Sequence, residues 1–316
     1  MNIREVGPRD GFQNEPEVIP TERKIELIDA LARTGLRRLE VTSFVRADVI
    51  PQLADAAQVL AGIDVPEQVS VSVLIPNERG LETALELRER LSAERAAQAS
   101  PAAPRPAFEE INVFMSASET HNRKNVNRSI AESLAGLEGV LARAREAGLR
   151  CEGVISTSFG CPYEGHVPIE CVLEIAARLR DAGAQEIGFG DTTGMANPRQ
   201  VSEFFALARD ALGRQLELTA HFHNTRGQGL ANVLAALQAG VTSFESSFGE
   251  LGGCPVPAGA TGNIASEDLV SMLHEMGIDT GIELPALLAC SRRVQEVLGR
   301  PLGSHTLVAG PVEWRD

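Results

Sequence analysis

Short apolar runs alternate with amphipathic segments from one end of the chain to the other, and that alternation leaves few folds open. It is the βαβα pattern of a parallel sheet. Strands are expected at residues 3–6, 38–42, 69–75, 110–115, 152–156, 186–189, 216–223 and 242–246. Helices are expected from about Thr21, Val49, Glu78, Val126, Ile169, Pro198 and Ala231. Several are followed by the Gly that terminates helices, as at Gly35, Gly148, Gly183 and Gly240. Eight strands with helices between them predict a closed (β/α)8 barrel, the TIM-barrel form of the α/β class. An open doubly wound sheet is the alternative, but it calls for a G-x-G-x-x-G after its first strand, which is missing here.

A chain of 316 residues suits one such domain. The expected division is a barrel over about 1–248, a Gly-rich catalytic loop at 249–263, and C-terminal helices over 264–316, starting from about Ser266 and Leu284. Residues 92–106 are biased to Ala and Pro and read as a flexible or partly polyproline insertion. Because they join a helix to the next strand, they belong at the bottom of the barrel, away from chemistry.

The formal net charge of −14 argues against nucleic acid as a partner, and an anionic substrate would need a local cluster of Arg or Lys. No run of 18 apolar residues is present, so no membrane span is expected. The five cysteines (151, 161, 171, 254, 290) are odd in number and form no C-x-x-C, which suits reduced thiols. With a first strand starting near Asn2 and no room for a targeting segment, the expected location is the cytoplasm.

In a barrel, chemistry sits at the C-terminal ends of the strands. After strand one come Arg9, Asp10 and Gln13, either a Pro/Asp/Gly turn with an exposed ion pair or a metal ligand (Asp10) beside a fixed cation (Arg9). Glu40 lies within strand two and needs a partner, for which Arg9 is available. Strand four runs into a basic, amide-rich segment ending in Asn125 and Asn127. This is an anion site or simply a solvated helix start, with His121 expected at the surface. Cys161 before Pro162 reads as a packed thiol. Asp191 at the tip of strand six could orient a substrate hydroxyl or a His, or cap a turn. His221 and His223 share one face of strand seven, roughly 7 Å apart, where they could bind one metal ion. Cys254 stands on a glycine-rich segment, which suits a closing loop, and Asn263 follows with an amide oxygen.

These residues, taken together, resemble the 3-hydroxy-3-methylglutaryl-CoA (HMG-CoA) lyase family. The motifs that carry the resemblance are Val6 to Asn14 (VGPRDGFQN), Glu40 to Phe44 (EVTSF), Gly160 to Gly165 (GCPYEG), His221 to Asn224 (HFHN), Leu251 to Pro255 (LGGCP) and Gly259 to Val270 (GATGNIASEDLV). They occur in order over nearly the whole chain, and the Gly-Gly-Cys-Pro stretch separates the lyases from the related acyl-CoA condensing enzymes. The resemblance implies cleavage of an acyl-CoA to acetyl-CoA and acetoacetate, with Mg2+ or Mn2+ held by Asp10, His221, His223 and Asn263. It further implies that Arg9 stabilises the enolate and that Cys254 is the thiol of the mobile catalytic loop. Arg9, Asp10, Glu40, His221 and Cys254 are thus the expected catalytic residues, and Arg9, Gln13, Asn125 and Asp191 the expected substrate contacts.

The base is Asp10 or His221, and the final acid Cys254 or a His-bound proton. A homodimer fits this reading. The same His/His/Asp set could hold Fe(II) or Zn2+, and a condensing synthase or a non-catalytic acyl-CoA-binding barrel are the competing readings. Residues 156–159, 194–198 and 247–250 depart from the commonest family forms, which leaves a related 3-hydroxyacyl-CoA open as substrate.

Overall fold

The structure is a computed structural model that describes residues 1–98, 105–253 and 261–314. Eight strands, β1 (Asn2–Glu5), β2 (Arg38–Ser43), β3 (Ser70–Leu74), β4 (Glu110–Ser116), β5 (Arg150–Ser156), β6 (Glu186–Asp191), β7 (Glu217–Phe222) and β8 (Ser243–Ser246), pair in chain order and close on themselves. Every pair is parallel, β8 with β1 included. Around them run α1 (Thr21–Leu31), α2 (Ala56–Gly62), α3 (Glu78–Gln98), α4 (Glu119–Val126), α5 (Ile130–Glu146), α6 (Ile169–Ala182), α7 (Pro198–Leu212) and α8 (Gly229–Gln238). Three more helices follow the barrel, α9 (Ser266–Glu275), α10 (Leu284–Leu298) and α11 (His305–Ala309). The protein is a (β/α)8 TIM barrel with added C-terminal helices. Among the described residues no helix is long and apolar enough to cross a membrane.

The alternation along each strand explains the layering. Outward residues such as Ile111, Val113 and Met115 of β4 are fully buried under the helices. Many inward positions are polar. Arg4, Arg38 and Arg150 mesh with Glu110, Glu152, Glu186 and Glu217 across the lower barrel. Such a charged layer replaces the branched apolar side chains that usually fill a barrel. Burying these ions costs desolvation, and the geometry offsets it by pairing each guanidinium with two or more carboxylates.

Several local expectations are corrected. The helix expected from Val49 begins at Ala56 after a short turn at Pro51–Leu53. Pro51 forces Ile50 out of the helical region (φ −129°, ψ 82°), so the helix cannot run through it. The helix expected from Val126 is two helices. Ser118 caps α4, Asn127 ends it in the left-handed region (φ 55°), and a Ser129/Glu132 capping box starts α5. The first half of the Ala/Pro stretch, residues 92–98, continues α3, because its alanines favour helix before the prolines begin. Arg95 there donates to the Leu60 carbonyl at 3.0 Å. Residues 99–104 lie outside the described residues.

On the outer side of β1, two buried carboxylates tie barrel to C-terminal helices. Glu5 accepts from the N–H groups of Gly7 (2.7 Å) and Phe248 (3.0 Å) and from Ser266 Oγ (2.5 Å). Glu267 accepts from the Gly249 N–H (2.9 Å) and from Ser291. Burial pushes Glu5 up to about 8 and Glu267 up to about 7, despite those donors. Both folded-state values lie above the ordinary 4.5. Stability from these groups is therefore full below that value and is lost as pH rises through about 7 to 8. The urea midpoint is expected to be lower at pH 8.5 than at pH 6.5, with Glu267→Gln flattening the slope; a midpoint that rises over this interval contradicts the assignment.

Candidate active site

A wide helical turn, Gly7–Gly11, follows β1 and sets Arg9 and Asp10 at the C-terminal mouth of the barrel. Its backbone is pinned at both ends: Asp10 N–H donates to the Val6 carbonyl at 2.7 Å, and Glu5 holds the Gly7 N–H. Arg9 donates from Nε to Glu40 Oε2 at 2.5 Å and from Nη1 to Asp10 Oδ1 at 2.9 Å. Glu40 is completely buried, and its other oxygen accepts from Asn112 Nδ2 at 2.8 Å. Burial works against the Arg9 charge, but Glu40 and Asp10 more than offset it, so the guanidinium pKa is raised. A half-buried, oriented cation results.

Across the mouth, donor atoms of Asp10, His221 and His223 all lie within 4.8 Å of one another. His221 Nε2 and His223 Nε2 are 3.1 Å apart. His221 Nδ1 lies 2.8 Å from Glu245 Oε2, a carboxylate that can only accept, so Nδ1 carries a proton and Nε2 faces the cluster; burial works against a charged ring, but Glu245 and Asp10 raise its pKa. Burial, and then the neighbouring His221, pushes His223 down to about 3, so it is neutral. Burial alone would raise the Asp10 pKa, but the Arg9 and His221 charges and the Asn263 hydrogen bond hold it below the usual range. Asn263 Nδ2 donates to Asp10 Oδ2 (2.7 Å) and to the Leu251 carbonyl (3.1 Å). Asn263 Oδ1 is buried and takes no hydrogen bond among the described residues, which leaves its lone pairs to a cation. One carboxylate, two imidazoles and one amide oxygen fit a divalent ion of the Mg2+/Mn2+ type.

The other expected site residues fall into three groups. Gln13 donates to Asp10 Oδ1 at 2.9 Å and so helps to orient it. Asp191 does two things at the end of β6. Its Oδ1 accepts from the N–H groups of Met195 (2.7 Å) and Ala196 (3.1 Å), capping the turn, while its Oδ2 is buried without a partner among the described residues. Burial pushes this carboxyl up to about 6. Asn125 is exposed on α4 and makes no hydrogen bond to the cluster. Cys254 lies outside the described residues.

His121, expected at the surface, is buried, with Nδ1 2.5 Å from Ser116 Oγ; the Ser118 cap turns α4 back over β4 and carries the ring inward. Three contributors went unforeseen. Glu245 supports His221, Asn112 supports Glu40, and Gly252 (φ 98°) lies so close to the cluster that a Cβ there would meet Asn263 Nδ2 at 2.7 Å. The signal for Glu245 is a Glu at an inward position of β8, but only the β7–β8 register pairs it with His221.

Comparison with known proteins supplies the remaining observation. The family model described as HMGL-like matches residues 1–294. The hydroxymethylglutaryl-CoA lyase YngG of Bacillus subtilis (strain 168) is 47% identical over 308 residues, covering 97% of this chain and 96% of that protein. The crystal structure of a B. subtilis HMG-CoA lyase superposes with a TM-score of 0.86 at 46% identity, covering 97% and 96% of the two chains. An A. baumannii HMG-CoA lyase, solved in complex with coenzyme A and 3-methylmalate, superposes with a TM-score of 0.88 at 38% identity, covering 98% and 95%.

Proposed function

Since this chain belongs to the HMGL-like family, we infer that it is a divalent-metal-dependent lyase that cleaves 3-hydroxy-3-methylglutaryl-CoA to acetyl-CoA and acetoacetate. The observation that carries this reading is the convergence of Asp10, His221, His223 and Asn263 beside Arg9. A divalent cation, Mg2+ or Mn2+, held by those four residues would supply the positive charge that acidifies and orients the 3-hydroxyl.

The chain's own groups do the rest. Asp10 takes the hydroxyl proton, because His221 already carries a proton on Nδ1 and would commit Nε2 to the cation. The C2–C3 bond then breaks in a retro-Claisen (aldol-type) step, leaving acetoacetate and the enolate of acetyl-CoA. Arg9, already oriented by Glu40, meets the negative charge on the enolate oxygen. Cys254 or a His-bound proton reaches the enolate carbon. Asp191 Oδ2 faces the substrate as an acceptor, and Gln13 keeps Asp10 in place. The thioester survives, so no acyl-cysteine is needed. The expected location is the cytoplasm. Mass spectrometry of a 3-hydroxyacyl-CoA panel tests the acyl group: turnover of HMG-CoA well above citramalyl-CoA supports the assignment, and the reverse order replaces it.

The CoA arm has a natural path. A cleft of about 1220 Å3 opens beside the mouth where β2 and β3 end, lined by Ser43, Arg46, Arg79, Arg90 and Arg128 among others. Arg46 and Arg90 face Asp48 and Glu94, whereas Arg79 and Arg128 face no carboxylate within ion-pair distance among the described residues. On a protein of net charge −14 this is the kind of local positive site that CoA phosphates require. Arg79→Ala with Arg128→Ala should raise KM for the CoA ester by ~10-fold and leave kcat nearly unchanged, as for loss of uniform binding. An equal change with the short pantetheine ester, which lacks the nucleotide, contradicts the path.

A further inference from the structure

A line of charge leads to the metal cluster from below. Arg4 on β1 is 1% exposed and sits at the centre of the barrel. Its Nη2 reaches Glu110 (3.3 Å) and Glu186 (3.4 Å), and its Nη1 pairs with Glu152, so carboxylates from β4, β5 and β6 hold the guanidinium. Nη1 also donates to Glu245 Oε1 at 2.8 Å, and the other oxygen of that carboxylate meets His221 Nδ1 at 2.8 Å. Arg4 is the only hydrogen-bond partner of Glu245 Oε1 among the described residues. We propose that Arg4 is a positioning residue for the metal site: by fixing Glu245, it sets the ring orientation and tautomer of His221, so that Nε2 turns a lone pair toward the cation. The proposal rests on the metal-site reading above and extends it to a residue two contacts away.

The chemistry is directional. A guanidinium has donors only, so whatever stands at position 245 must turn an acceptor toward it. Glu245 can satisfy Arg4 and His221 at once, since both of its oxygens accept. A Gln there cannot. With Arg4 present, its carbonyl oxygen is drawn to the guanidinium and its NH2 is left against His221. That NH2 donates to Nδ1, which moves the ring proton to Nε2 and removes the metal-binding lone pair. Without Arg4, the Gln can turn round and accept from Nδ1–H.

The test is Mn2+ binding to the substrate-free protein, read by EPR, with 15N NMR of the His221 ring. Glu245→Gln should weaken Mn2+ by ~100-fold, the upper range for an outer partner of a ligating His, and show Nε2 protonated. Adding Arg4→Met removes one buried cation to match the lost anion. It should restore ~10-fold of that affinity together with the Nδ1–H tautomer. A merely structural Arg4 predicts that the second substitution leaves binding unchanged or worse, and that outcome overturns the proposal. If either variant does not fold, the wild-type spectrum decides, because a neutral His221 ring that carries its proton on Nε2 and not Nδ1 in the metal-free wild type overturns it as well. Wild-type protein that binds no Mn2+ while showing Nδ1–H would instead remove the metal-site reading and leave the Arg4–Glu245–His221 linkage intact.

Discussion

Replacing Asp10, His221 or His223 with Ala weakens divalent-cation binding by more than ~100-fold and lowers activity with it. The magnitude follows from the composition of the cluster. Outer partners of a ligand cost ~10–100-fold when lost, and these three are the proposed inner donors, with Asn263 the remaining candidate donor. Binding and catalysis should fall together because the hydroxyl is acidified only where the cation is held. The three changes need not be equal. Asp10 also accepts from Arg9, Gln13 and Asn263, so its loss frees three neighbours, whereas His223 makes fewer contacts. Calorimetric titration with Mn2+ alongside steady-state kinetics checks this, and normal affinity in all three variants would remove the ligand assignment.

Arg9→Met is expected to lower kcat by ~100-fold or more, about 3 kcal/mol, with little change in KM, as for a donor aimed at charge that develops in the transition state. One complication is structural. Glu40 is fully buried, and without Arg9 it keeps only the Asn112 hydrogen bond, a cost of about 3–5 kcal/mol in stability. Arg9→Met with Glu40→Gln removes both charges and separates the two effects. If kcat stays low in the restabilised double variant, Arg9 acts on the reacting atoms. Recovery of kcat would mean that Arg9 serves only to hold Glu40, and a pure KM effect would make it a substrate anchor.

The barrel was legible because two periodicities coexist in the chain, two residues in the strands and about 3.6 in the helices, with Gly stops between them. Positions at strand ends were legible for the same reason, which is why Arg9, Asp10, His221 and His223 could be placed at one mouth before any coordinates. The pairing of Arg9 with Glu40 also followed from the need of a buried carboxylate for a cation. What stayed hidden depends on register. Glu245 is one of several inward carboxylates, and nothing local distinguishes it from Glu186, which joins the ion network, until β8 is set against β7. Arg4 was hidden likewise, because a strand position says that a side chain points inward but not what it meets. His121 reads as a surface residue because its segment is rich in charged and amide side chains, but Ser118 caps α4 and turns the ring under cover.

The most direct test strips the purified protein of metal, then offers HMG-CoA without O2 before and after Mg2+ or Mn2+ is restored. The expected result is no cleavage before and equal amounts of acetoacetate and acetyl-CoA after. A folded, metal-loaded protein that leaves HMG-CoA intact, or one that cleaves it equally well without metal, would contradict the proposed function.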